Sequence, residues 1–190
     1  KLSHLINGEH FCEEIFALVK ETTAAVRAQA KQIISRDGEA IAFLTKALIL
    51  IGVTLSLLGS TRPGSGSEHH LSHFFEIVGL IRNEPYFLHG TDVAYSTVVT
   101  AGMREKIAAM EKPAFHQEME QERANAWGRI YGPYAGEVEA LQEAAHSYEK
   151  DRTALYCEKW AEIRALMRQC PGAAEISRMF EAAGYDMNAF

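Results

Sequence analysis

The chain has 190 residues, of which 47% are hydrophobic and 23% are charged, and its formal net charge at pH 7 is −6. This balance is typical of a folded globular protein, and the length is sufficient for one well-buried domain. The negative net charge gives no electrostatic reason to expect nucleic acid or an anionic membrane surface as a partner. Three scattered cysteines without a Cys-x-x-Cys pair predict reduced thiols and a cytoplasmic protein.

The first third of the chain predicts two long helices. Apolar residues recur near helical spacing over residues 9–35, with Asn7 as the expected cap, and Arg36-Asp37-Gly38 is typical of a turn. Asp37 is placed to cap a second helix from about Glu39 to Leu58.

The second of these helices is hydrophobic nearly all round. Polar residues such as Lys46 and Thr54 interrupt it, so the uninterrupted apolar run is shorter than the roughly 20 residues that a bilayer requires. We therefore interpret it as the central buried helix of a bundle and predict no membrane span.

A loop rich in Gly, Ser and Thr follows and leads directly into a third helix. Ser65 and Glu68 have the spacing of a capping box, which predicts a helix start at Gly66 or Ser67. The free N–H groups of this helix start, beside Arg62 and several hydroxyls, suit a phosphate group.

The third helix carries three of the eight histidines of the chain. Its apolar residues form one stripe, which comprises Leu71, Phe74, Phe75 and Val78, and its polar residues His69, His73 and Glu76 fall on the opposite face. His89 follows twenty positions after His69 and directly precedes a Gly. Imidazole is the commonest protein metal ligand, so this spacing leaves a metal site and solvated histidines equally open.

The remainder of the chain also predicts helices. Asn83-Glu-Pro-Tyr86 is a helix breaker, and a fourth helix is expected from His89-Gly90 to about Met110, with an apolar stripe of Val93, Thr97, Val98 and Ala101. A charged helix is expected before the Tyr131-Gly-Pro-Tyr134 break, then one or two helices over 136–168 with a break near Lys150-Asp151, and a short helix over 173–183. No segment alternates with period two, so we predict an all-α, multi-helix bundle that forms a single domain over residues 1–190.

Two segments carry a family resemblance. Ser-Thr-Arg-Pro-Gly-Ser-Gly-Ser-Glu-His-His-Leu-Ser-His-Phe, followed by Leu-His-Gly-Thr-Asp-Val-Ala, resembles the metal-site segment of the sn-glycerol-1-phosphate dehydrogenases. These enzymes belong to the superfamily of iron-containing alcohol dehydrogenases, glycerol dehydrogenases and dehydroquinate synthases. The resemblance covers the chain as a C-terminal helical half, and it implies the fold of the C-terminal domain of dehydroquinate synthase-like dehydrogenases.

The resemblance also implies roles for individual residues. His69 matches the first histidine ligand of a divalent metal (zinc, nickel or iron), and His89 matches the second, with His70 as an alternative to His69. His73 matches a histidine that lies near the nicotinamide and the substrate, and is therefore the expected catalytic residue. In relatives, a third ligand (an Asp) and a nucleotide-binding α/β domain that holds NAD or NADP precede this segment. We expect neither in this chain.

The implied activity is that of an NAD(P)-dependent dehydrogenase that interconverts dihydroxyacetone phosphate and sn-glycerol 1-phosphate, and we expect the isolated chain to be inactive. We hypothesise that Arg62, Ser65 and Ser67 hold the phosphate of this small substrate. Two alternative functions remain open. The chain could be a non-catalytic helical module that binds a metal or a partner, or a glycerol dehydrogenase-like enzyme that acts on an unphosphorylated polyol. A homo-oligomer is also left open.

Overall fold

The computed structural model describes residues 1–84, 87–115, 120–146 and 151–185, and all regular secondary structure in these ranges is helical. The predicted all-α class is therefore confirmed. The elements are α1 (Leu2–Asn7), α2 (Glu13–Ala28), α3 (Ala30–Ile34), α4 (Gly38–Leu58), α5 (Ser67–Arg82), α6 (His89–Ala109), α7 (Glu120–Tyr131), a 3₁₀ turn (Gly132–Tyr134), α8 (Ala135–Ala144), α9 (Thr153–Glu158), α10 (Trp160–Arg168) and α11 (Ala173–Ala182).

Helix α6 is the centre of the packing, because α5, α10 and α11 all lie against it. Its buried residues are small or polar, and they are Asp92, Ala94, Ser96, Ala101 and Ala108. Helix α5 buries Ser72 and Gly79 fully, and both are small. Small residues in a helix contact allow the two axes to approach closely, so α5 and α6 form a tight pair.

The predicted burial faces of α5 and α6 are only partly right. The large residues of the predicted α5 stripe, such as Phe74 and Phe75, are half-buried and make ring contacts with Tyr131 and Tyr95. On α6 only Ala101 of the predicted stripe is fully buried. The most buried face of each helix is lined by its small residues, which a search for large apolar residues passes over.

The prediction that α4 is the buried centre of the bundle is wrong. Only Ala40, Ala47 and Thr54 are buried on this helix, whereas Leu57 is 72% exposed and Leu48 is 64% exposed. Within the described residues α4 is the one helix long and apolar enough to cross a membrane. That property alone does not establish a span, since the core helices of soluble proteins share it.

The first predicted helix is divided into shorter pieces. Asn7 does not cap it, because Asn7 is the last residue of α1, and α2 begins after Cys12. A break at Gln29 then separates α2 from α3. The predicted cap of α4 is confirmed, since Asp37 Oδ1 accepts a hydrogen bond of 2.9 Å from the backbone N–H of Ala40.

The later boundaries follow the sequence more closely. Helix α6 begins at His89 and ends at Ala109, α7 ends at Tyr131, and α11 occupies the predicted short segment after Gly172. The break that separates α9 from α10 lies at Lys159. Pro85, Tyr86 and Lys150, which the sequence marked as breaks, lie outside the described residues.

Candidate metal centre

The start of α5 lies where the sequence placed it, but its cap differs from the prediction. Gly66 is the residue before the helix, and its backbone N–H donates to Glu68 Oε1 at 2.7 Å. No side chain caps α5 from the N-terminal side, so Ser65 does not act as the predicted capping residue. The carboxylate of Glu68 is favourable here because a helix N-terminus attracts negative charge.

Three imidazole rings come together where the N-termini of α5 and α6 meet. The ring centroids of His69 and His89 are 5.0 Å apart, and the His73 ring stacks on His89 at 5.0 Å with an interplanar angle of 19°. Nε2 of His69 lies 3.2 Å from Nε2 of His89. His69 and His73 are one turn apart on α5, and His89 is the first residue of α6, so the close α5–α6 pair brings them together. The neighbouring His70 is exposed.

Glu76 joins two of these rings. Its Oε1 lies 2.7 Å from His89 Nδ1, and its Oε2 lies 2.8 Å from His73 Nδ1. The hydrogen bond with His73, followed by the one with His89, holds the pKa of the Glu76 carboxyl below its usual range. The fully buried Ser72 adds an Oγ that lies 3.3 Å from His89 Nδ1.

The sequence placed Glu76 on the histidine face but gave it no role in a site. The signal was its spacing, because residues 69, 72, 73 and 76 recur on one helical face. The contact between Glu76 and His89 joins two helices, and spacing along a single helix does not predict it.

The cluster contains donor atoms that could hold a divalent metal ion. One donor each from His73, Glu76 and His89 lie within 4.8 Å of one another. Two nitrogens bound to a tetrahedral zinc ion at its usual bond length would be about 3.3 Å apart, close to the separation of the His69 and His89 Nε2 atoms. In addition, Nδ1 of His69 is buried without a hydrogen-bond partner, as expected for a cluster whose polar atoms are not satisfied by the protein alone.

The residues predicted to hold a phosphate are placed less favourably. The Arg62 guanidinium makes a two-point contact with Glu9, in which Nε donates to Oε2 at 2.8 Å and a terminal nitrogen donates to Oε1 at 2.7 Å. This contact holds the pKa of Glu9 below its usual range. Ser65 is half-buried and Ser67 is exposed at the first position of α5. Arg62 is therefore paired with a carboxylate of the same chain.

A cleft of about 370 Å³ lies further along the α5–α6 pair, between aromatic side chains that include Phe75 and Tyr95. Asp92 lines this cleft and is only 2% exposed, and its Oδ2 has no hydrogen-bond partner. Burial raises the pKa of Asp92 above its usual range, the negative charge of Glu76 adds to the rise, and His89 opposes it. No local pattern predicts this buried carboxyl, since Asp92 falls in an ordinary first-turn position of α6.

The fold and this cluster together describe a helical protein with a group of His and Glu side chains that could hold a metal ion. Comparison with known proteins then relates the chain to particular enzymes. It is 32% identical over 118 residues to a glycerol-1-phosphate dehydrogenase (NAD(P)+) of Halalkalibacterium halodurans, a match that covers 62% of this chain and 30% of the relative.

Other relatives carry the same name. The identity is 39% over 101 residues with the protein of Pyrococcus furiosus, which covers 53% of this chain and 28% of the relative. The identity is 26% over 152 residues with the protein of Geobacillus thermodenitrificans, a match that covers 80% of this chain and 37% of the relative. The resemblance seen in the sequence is thus confirmed, and the chain spans about a third of the length of the curated relatives that it matches. No family model and no solved structure matches the chain.

Proposed function

We propose that this chain is the metal- and substrate-binding part of an NAD(P)-linked glycerol-1-phosphate dehydrogenase. The names of the relatives support the reaction, which interconverts dihydroxyacetone phosphate and sn-glycerol 1-phosphate. The observation that carries the proposal is the 3.2 Å separation of the Nε2 atoms of His69 and His89, since it is the spacing of two ligands that share one ion.

In this proposal His69 and His89 would hold the ion through their Nε2 atoms. A divalent metal at this position supplies Lewis-acid polarisation of the substrate carbonyl. The His73 side chain is 56% exposed and stacks on His89, so it lies beside the donor pair with one edge open to an incoming molecule. We assign His73 the role of contacting the substrate and the nicotinamide.

To bind the substrate phosphate, Arg62 would release the Glu9 carboxylate and pair with the phosphate in its place. Its partner Glu9 is at the surface, and surface ion pairs contribute only about 0–1 kcal/mol, so the exchange costs little. A phosphate offers the same two-point geometry to the guanidinium as a carboxylate does. The exposed Ser67 hydroxyl, and Ser65 beside it, would complete the contact from the start of α5.

Metal titration tests the central part of the proposal. We expect calorimetric titration of the chain with zinc and with nickel to show binding that His69→Ala and His89→Ala each weaken at least about 100-fold, because each removes one ligand. The matched control is His70→Ala, which removes a neighbouring exposed imidazole and should leave the affinity unchanged. Equal losses for His70→Ala and His69→Ala, or no binding to the wild-type chain at millimolar metal, would contradict the proposal.

The phosphate assignment has its own test. Arg62→Ala should weaken the binding of sn-glycerol 1-phosphate to the metal-loaded chain about 10-fold or more, because it removes a charge-assisted two-point contact, and it should leave glycerol binding unchanged. Glu9→Gln should strengthen phosphate binding, since it removes the competing carboxylate. Both affinities are measurable by calorimetry.

The pairing of Arg62 with Glu9 gives the unphosphorylated polyol a specific argument as the alternative substrate, because the cation is already neutralised. Equal affinity for glycerol and for sn-glycerol 1-phosphate, with no effect of Arg62→Ala on either, would favour that alternative.

A further inference from the structure

We propose that Glu76 is a positioning residue that fixes the tautomer of His89 and of His73, so that the Nε2 atom of each ring keeps its lone pair for a ligand. This inference rests on the proposed metal-binding function, which it deepens. It assigns Glu76 to the surroundings of the metal and not to the ligand set.

The hydrogen-bonding capacity of the carboxylate and the two rings determines where the ring protons lie. An ionised carboxylate can only accept, so a ring nitrogen at hydrogen-bond distance from it must carry the proton. Nδ1 of His89 lies 2.7 Å from Glu76 Oε1, and Nδ1 of His73 lies 2.8 Å from Oε2. In its neutral form an imidazole has a single N–H, which this contact holds on Nδ1, so that Nε2 of each ring keeps a lone pair for a ligand.

The placement of the partners around His89 argues against Glu76 as a direct ligand. Glu76 contacts His89 at Nδ1, whereas His69 contacts the same ring at Nε2, 3.2 Å away. An ion shared by His69 and His89 therefore lies beyond the Nε2 edge of the His89 ring, and Glu76 lies beyond the Nδ1 edge. A carboxylate on the far nitrogen of a ligating histidine is the usual arrangement around protein metals, where it fixes the ring and increases its basicity.

The same assignment accounts for the unpartnered atom of His69. If Nε2 of His89 is unprotonated and carries a lone pair, the 3.2 Å contact requires Nε2 of His69 to donate to it in the metal-free protein. Nδ1 of His69 would then be an acceptor, which agrees with its burial without a hydrogen-bond partner, and the nearest carboxylate oxygen, Glu68 Oε1, lies 3.7 Å away. Metal binding would move the His69 proton from Nε2 to Nδ1, where it faces Glu68.

The direct test is the tautomeric state of the metal-free chain, measured by long-range ¹H–¹⁵N NMR on ¹⁵N-histidine-labelled protein. We expect His89 and His73 as Nδ1–H tautomers and His69 as the Nε2–H tautomer. In Glu76→Gln the amide accepts from one ring and donates to the other, so one of the two rings should change to the Nε2–H form. His89 in the Nε2–H form in the wild-type chain would overturn the proposal.

Metal affinity supplies a second, independent measurement. Glu76→Gln should weaken zinc binding about 10- to 100-fold, the usual cost of losing an outer partner, with one ion still bound per chain. The matched control is Glu84→Gln, which makes the same change of charge just beyond α5 and should bind zinc as the wild type does. Unchanged affinity in Glu76→Gln, or a complete loss equal to that of His89→Ala, would contradict a positioning role.

Circular dichroism and the amide NMR spectrum of each variant establish that it is folded. Glu76→Asp, which keeps the charge on a side chain shorter by one methylene, serves as a second variant. The NMR measurement needs no metal. If the wild-type chain fails to bind zinc, the proposed function fails, while the tautomers still decide the role of Glu76.

Discussion

Helices α4 and α6 are both 21 residues long, and they reverse the usual relation between hydropathy and burial. Helix α4 is apolar nearly throughout, yet leucines such as Leu48 and Leu57 are largely exposed. Helix α6 has a mixed sequence, yet Ser96 and Ala101 are completely buried. The burial of a helix therefore depends on the helices packed around it, and its composition alone does not determine it.

The neighbours differ in a way that explains the contrast. Helix α6 lies against α5, α10 and α11, whereas α4 packs mainly on α2 and α3. The C-terminal end of α6 is also held by two arginines of α10, since Arg164 and Arg168 each donate to the backbone carbonyl of Ala108 at 3.1 Å. Cations at this end complement the helix dipole, so α6 is fixed at the end opposite to the histidines.

Among substitutions that test this contrast between α4 and α6, we expect the largest loss of stability in the middle of α6. Ala101→Leu should lower the free energy of unfolding by about 1–3 kcal/mol, because the added side chain has no space between the packed helices. The measurement is urea unfolding followed by circular dichroism. Ala109→Leu makes the same change at an exposed position of the same helix and should cost less than about 0.5 kcal/mol. Similar losses in both variants would contradict the central place of α6.

A smaller effect, dependent on pH, is expected from the buried Asp92. Its folded-state pKa is raised, so its contribution to stability is fully present below the unfolded pKa of about 3.9 and is lost as the pH rises through the folded value. The side chain in Asp92→Asn does not ionise, so the variant does not lose this stability as the pH rises. In chelator-treated protein, the variant should therefore gain stability relative to the wild type as the pH rises above the unfolded pKa of about 3.9, by on the order of 1 kcal/mol.

The control for this measurement is Glu21→Gln, which neutralises an exposed carboxylate in the middle of α2 and should follow the wild-type stability across the same range. A constant difference between Asp92→Asn and the wild type at all pH values would exclude the raised pKa as the cause.

The smallest effect is expected on the exposed face of α4. Leu48→Ser combined with Leu57→Ser should change the free energy of unfolding by less than about 1 kcal/mol in total, since both side chains are mostly exposed already. The same variant should bind less of a hydrophobic dye such as ANS, because it removes apolar surface. A loss of several kcal/mol, as for buried leucines, would restore the interpretation of α4 as a core helix.

Local signals predicted much of this fold. The start of α5, the cap at Asp37 and the bounds of α6 follow from short-range patterns that involve neighbouring residues only. The buried faces were harder to predict, because Ser72 and Gly79 are buried by close approach and carry no hydrophobic signal.

The candidate site also has one part that short-range patterns predict and another part that they do not. Spacing placed His69 and His73 on one helical face, and the resemblance singled out His89. The contacts of Glu76 with His89 and of Arg62 with Glu9 join residues that are 13 and 53 positions apart, and each depends on how two segments pack. Short-range periodicity contains no information about such pairs, so these partners became visible only in the structure.

The small residues between α5 and α6 also limit how far the histidine rings of the two helices can move apart. A slip of one helix along the other by a single residue is about 1.5 Å, nearly half of the 3.2 Å that separates the two Nε2 atoms. Such a slip, or a larger side chain that forces the axes apart at Ser72 or Gly79, would leave the rings too distant to share one ion. The packing of two small residues, Ser72 and Gly79, therefore determines whether the nitrogens of the two rings stay close together.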